Sequence, residues 1–271
     1  MPSITLAQSE PTLAKYRDFF PSGLRVLPLS IFQPSCWIAR LGLEQHSWGL
    51  RSLLLGDLIF FVLHWLHFAL PALQRKLFSV ASDASLPEIY QGFKQLGIVG
   101  LLIVMGWHSR ELRYGSWVLL FVYLFCDDLF RIHESQGDGI ADWMDSRGIV
   151  PWLGLRSQDY GELIFLAIVF TILLGLIAAC YWLGKPLRQQ IQRRRKQAFR
   201  QSTGDLMRFL LLLSLFGVGI DFLHSLLAFN QITDRLLSFI EDGGEMLVVS
   251  LMTSYLAIAA GKIAKNRAYF R

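Results

Sequence analysis

The chain has 271 residues, of which 53% are hydrophobic and only 17% charged. Soluble domains carry about 25% charged residues, so this composition excludes an ordinary soluble domain and points to a membrane protein. A net charge of +5 would suit a nucleic-acid partner, but the basic residues gather between apolar runs, which is a topology signal, and no nucleic-acid binding is expected.

Residues 1–47 mix Phe19, Phe20, Trp37 and several prolines with basic residues. They contain no apolar core behind a basic start, so they do not resemble a cleavable signal. They read as a cytoplasmic or interfacial segment. Residues 48–262 read as one all-α domain, a bundle of six transmembrane helices, and 263–271 as a cytoplasmic tail. A span needs about 20 mostly apolar residues. The predicted spans are Ser52–Pro71, Ile89–Trp107, Ser116–Glu134, Tyr160–Leu183, Leu206–Phe229 and Ile240–Gly261.

Orientation follows from Lys and Arg. One side holds the basic residues of the N-terminal segment, Arg110 and Arg113, the run from Lys185 to Arg208, and Lys262 to Arg271. The other side holds only Arg75, Lys76, Lys94, Arg147, Arg156 and Arg235, with Arg131 inside the third span. The excess places both termini in the cytoplasm, as six spans require. Residues 135–159, with Asp138, Asp142, Asp145, Asp159, Trp143 and Trp152, read as an outer loop bearing a short interfacial helix. The run Arg193–Lys196 reads as a cytoplasmic loop. A bacterial plasma membrane, or an equivalent energy-transducing membrane, is the expected setting, with the lipid bilayer as first partner.

Polar groups inside the spans carry the functional argument, because ionisable residues there are costly and mark sites. With alternating spans, Asp127, Asp128, His133 and Glu134 close the third helix, Glu162 opens the fourth, Asp221 and His224 close the fifth, and Glu241 and Glu245 open the sixth. His64 and His67 end the first. All fall in the outer half of the bilayer. Asp221 and His224 are three residues apart, as are His64 and His67, and Glu241 and Glu245 are four apart, so each pair shares a helix face. Carboxylates mixed with imidazoles suit Fe, Zn or Mn. The candidate metal ligands are Asp221, His224, Glu245, Glu162, Asp127, Glu134, Glu241, His64 and His67. Asp221-x-x-His224 is chemically similar to half of the Glu-x-x-His pattern of di-iron bundles, whose second copy is missing here.

Bland readings compete with these. Glu162, Glu241 and Asp242 suit helix first turns. Arg131 could pair with Asp127 or Asp128. Asp57 has no evident partner and reads as helix-packing glue. Gly97, Gly100, Gly217 and Gly219 read as close-packing positions. No lysine is expected in mid-span. Cys36, Cys126 and Cys180 form no disulfide framework or CxxC site. Three functions remain open. The first is a metal-dependent membrane oxidoreductase or hydrolase acting on a lipid-like, quinone or pigment substrate. The second is a proton- or cation-transporting protein, against which the inner half is poor in polar groups. The third is a cofactor-carrying or structural subunit of a membrane complex, in which haem would use His64 or His133 with His224.

Overall fold

The computed structural model describes residues 48–70, 76–80, 85–149, 157–183, 192–227 and 230–268. The expected 1–47 segment, Cys36 and Trp152 lie outside them. All regular structure among the described residues is helical. The helices are α1 (Trp48–Ala69), α2 (Leu86–Ser109), α3 (Tyr114–Phe130), α4 (Ile132–Ser146), α5 (Ser157–Leu183), α6 (Gln192–Ser214), α7 (Asp221–Leu227) and α8 (Gln231–Ala268). A π-helical turn, Leu215–Ile220, joins α6 to α7.

Five stretches are long and apolar enough to cross a membrane: Trp48–Ala69, Leu86–Ser109, Ser157–Ala179, Phe199–His224 and Gln231–Lys265. The predicted third span is the exception. Arg131 adopts the left-handed conformation, with φ 50°, which ends α3 after 17 residues and starts α4 in a new direction. At 1.5 Å per residue, α3 is about 25 Å long, below the roughly 30 Å of a bilayer core. The predicted 116–134 helix is therefore two helices, and the second is the short polar helix expected in the following loop.

Local chemistry sets the other ends. Ser85 caps α2 by accepting a hydrogen bond from the Glu88 N–H at 3.3 Å, with Pro87 in the first turn. Arg110, left-handed at φ 52°, closes it. Asn230 Oδ1 accepts from the N–H groups of Ile232 and Thr233 at 3.0 and 2.9 Å. This cap starts α8 nine residues before the predicted sixth span. Likewise, Arg193–Lys196 lies in the first turns of α6, not in a loop.

α2 and α8 pack along each other at the centre, with α1 and α6 against α8 and α3 against α2. Side-chain pairs give the directions. Gln91 meets Glu245 and Lys94 meets Ser250, so α2 and α8 run parallel. Phe61 lies against Gly243 and His64 against Phe239, so α1 runs against α8. Asp205 meets Tyr255 and Gly217, just beyond α6, meets Glu245, so α6 runs against α8 as well. Gly106 lies by Tyr114 and Gln95 meets Asp128, so α3 runs against α2. This up-and-down order brings the ends of α1, α3 and α7 to one end of the bundle, with the starts of α2 and α8. At the middle, Ile98, Leu102, Trp117, Leu206, Met252 and Leu256 are fully buried. α4 crosses α5 at Gly137 and Gly161, whose backbones touch; any side chain at Gly161 would meet the Gly137 carbonyl. Of the glycines expected to serve this role, Gly217 does, since a side chain there would run into Glu245, whereas Gly100 faces open space and Gly97 only brushes Thr253.

Two expectations fail together in this interior. Lys94, counted with the outer-side basic residues at the start of the second span, lies about 12 Å along α2. Its ammonium is buried and donates to Asp57 Oδ1 at 2.9 Å, the Met246 carbonyl at 3.0 Å and Ser250 Oγ at 3.0 Å. Asp57 thus has a partner, and a lysine does sit in mid-helix. The side chains of the pair are 2% and 0% exposed.

Candidate functional site

α7 carries an exposed Asp221 and a half-buried His224, three residues apart and on one side. Opposite them, α8 carries Asp234 and Glu241, seven apart and hence on one stripe. His224 Nε2 lies 2.9 Å from Asp234 Oδ1, and His224 Nδ1 lies 3.8 Å from Glu241 Oε2. The first distance is a hydrogen bond and the second is not. A neutral imidazole has one N–H, so Asp234 holds that proton on Nε2 and leaves the Nδ1 lone pair directed at Glu241. Asp221, His224 and Glu241 each offer one ligand atom, all within 4.8 Å of one another. Three donors at this separation can close on a metal at about 2.0–2.2 Å with small side-chain rotations. Asp234 would then be the carboxylate that orients a ligating histidine.

The other predicted ligands lie around this group. Glu162 starts α5 against Gly137, and its charged neighbours are His133, Asp221, Glu134 and Asp159. Glu245, one turn along α8 from Glu241, faces Gln91 at 3.4 Å and presses on Gly217 in the π turn. Asp127 accepts from the backbone N–H of His133 at 2.9 Å and meets its Nδ1 at 3.0 Å. Arg131 binds Glu134 at 2.8 Å. His133 lies between the candidate spans, and its pKa is raised, chiefly by the hydrogen bond to Asp127 and further by the charges of Asp127, Glu134 and Glu162, against the effect of burial.

His64 and His67 stay outside the Asp221 group. His67 lies edge-on to Phe68. His64 is buried, stacked on Phe239, and its Nδ1 accepts from the Val80 N–H at 3.1 Å. That bond occupies the only lone pair of a neutral ring, so Nε2 carries the proton. His64 has no free nitrogen for a metal or a haem iron in this arrangement.

Sequence reasoning missed Asp234, Gln91, Gln95 and Lys94. Asp234 had a signal, the Asn230 cap that makes it a first-turn acid on the Glu241 stripe. The three α2 residues had none, because their roles depend on which helix packs on α2.

The pattern of the chain over residues 52–259 matches the family described as a domain of unknown function, DUF8692. The chain belongs to that family. No curated protein and no solved structure matches it.

Proposed function

We propose that this DUF8692 member is an integral membrane metalloenzyme. In this reading Asp221, His224 and Glu241 bind Fe, Zn or Mn near the outer face and act on a lipid-like or quinone-like substrate. The carrying observation is the convergence of those three ligand atoms, with Asp234 fixing the histidine tautomer. One imidazole and two carboxylates form a donor set for such metals. Three protein ligands leave a position open for water or substrate. The bound metal would polarise a substrate oxygen or acidify water. Glu162, which feels the charge of Asp221, would take the proton released.

The surroundings support a lipophilic substrate. Leu223, Leu226 and Leu227 on α7, and Ile232, Leu236 and Ile240 on α8, expose apolar side chains around the group. The apolar stretch of α5 buries none of its residues in the protein. A helix apolar on all sides and left uncovered belongs in lipid. With α3 as a short sixth crossing, both termini lie on the basic, cytoplasmic side.

Metal analysis of protein purified without chelator tests the site. Wild type should retain Fe, Zn or Mn, and Asp221→Ala and His224→Ala should reduce it to background. His108→Ala, whose ring bonds only its own helix at the Val104 carbonyl, should leave it unchanged. Equal metal in all four proteins would refute the assignment. Turnover of a membrane lipid or quinone extract that returns only when the metal is restored tests the enzymatic part.

A further inference from the structure

A second group of acceptors lies between α2, α3 and α8. Gln91 Nε2 is 3.4 Å from Glu245 Oε2, and one turn on, Gln95 Nε2 donates to Asp128 Oδ2. Residues four apart on a helix stand about 5–6 Å from each other, so the amides hold the two carboxylates at a comparable separation. Gln95 is 5% exposed, and its Oε1 is buried with no hydrogen-bond partner. Glu88, one turn earlier on α2 and within electrostatic range of Asp128, has a buried Oε2 in the same condition.

Positive charge is scarce around these oxygens. Among the described residues, the charged groups acting on Glu245 are Asp128, Asp242 and Glu241, all acids. Among the same residues, His133 is the cationic neighbour acting on Asp128, against Asp127 and Glu88. The adjacent Lys94 has its three donors engaged by Asp57, Met246 and Ser250. Gln91 and Gln95 bring each carboxylate a single amide donor. Buried acceptors left in this state are costly. A cation would meet both the charge and the unpartnered oxygens.

We propose that Asp128, Glu245 and Gln95 bind a hard divalent cation, Mg²⁺ or Ca²⁺, at a site separate from Asp221, His224 and Glu241. Oxygen-only donors select such ions, whereas the imidazole of the first site selects transition metals. Two carboxylates match the charge of a divalent ion, and the carboxamide Oε1 of Gln95 is a neutral ligand of the usual kind. Gly217 gives Glu245 its place, because a side chain there would occupy the position of Oε1.

Full-length protein in detergent, stripped with chelator, is titrated separately with Mg²⁺ and Ca²⁺ while its melting temperature is recorded. At least one ion should raise the wild-type midpoint with saturation. His224→Ala should retain that response. Asp128→Asn and Glu245→Gln should weaken the apparent affinity at least tenfold, and Gln95→Leu, which leaves both acids in place, should do the same if either acid variant fails to fold. Absence of a saturable response in wild type, or an undiminished response in Gln95→Leu and Glu245→Gln, overturns the proposal. Loss of the response in His224→Ala also overturns it, because the two sites would then be one. Transition-metal content, measured separately, reports on Asp221, His224 and Glu241 whatever the outcome here.

Discussion

The two ends of the bundle treat charge in opposite ways. Where α2 ends and α3 begins, Glu111 takes Arg113 through two 2.7 Å bonds. Nearby, Asp205 takes Arg208 at 2.6 Å and the Tyr255 hydroxyl at 2.8 Å. Acids there have protein partners of opposite charge or good donors. At the other end Asp128, Glu162, Asp221, Glu241 and Glu245 act on one another as like charges. Ion pairs such as Arg131 with Glu134 and His224 with Asp234 occur there too, but the acids outnumber the bases. Like charges held close oppose folding, and a bound cation, as proposed above, would offset them.

The largest test uses the buried pair between the two ends. Asp57→Ala strands the Lys94 ammonium and should cost about 3–5 kcal/mol in unfolding experiments. Asp57→Leu combined with Lys94→Met removes both charges and should unfold near the wild-type midpoint. If the double variant is as unstable as the single one, the interior pair has more than a structural role.

Asp234→Asn sharpens the contrast between the ends. Loss of a carboxylate that orients a histidine ligand typically costs about 10–100-fold in metal affinity, read here by competition with a chelating dye. Asp205→Asn, which disturbs the matched end, should lower the melting temperature and leave metal affinity unchanged.

A smaller effect is expected at His133. Its pKa is raised in the folded protein, so folding favours the charged ring. The stabilisation is complete below the unfolded value of about 6.5 and fades as pH rises through the higher folded value. The melting temperature of wild type should fall between mildly acidic and mildly basic pH, and Asp127→Asn should flatten that fall. The mildest perturbation carries no stability change. In a background lacking Cys36, Cys126 and Cys180, an impermeant thiol reagent on intact cells should label Asp145→Cys and spare Arg200→Cys. The reverse pattern would put the acid-rich end in the cytoplasm.

Much of the architecture was legible in the chain because apolar length is a local property. The alternation of spans also grouped Asp221, Glu241, Glu245 and Asp127 at one end before any packing was known. The rest depended on contacts between distant residues. Asp57 and Lys94 are 37 positions apart, and neither looks paired until α1 and α2 both lie against α8. Arg131 breaks a helix with no glycine or proline to announce it. Asp234 joins His224 because α8 begins at Gln231, where apolar counting does not look.

The π turn of Leu215–Ile220 sets the rotational phase of everything that follows it. An α-helix advances about 100° per residue, and a π turn accommodates one residue more than a regular turn would. Deleting Val218 would let α6 run on into α7 as a regular helix. Because the π turn has already absorbed the extra residue, Asp221 and His224 would keep their phase toward Glu241, and Leu206 and Phe209, upstream, their places in the core. The same deletion one turn earlier, in the regular part of α6, would rotate the site against the core by roughly a quarter turn.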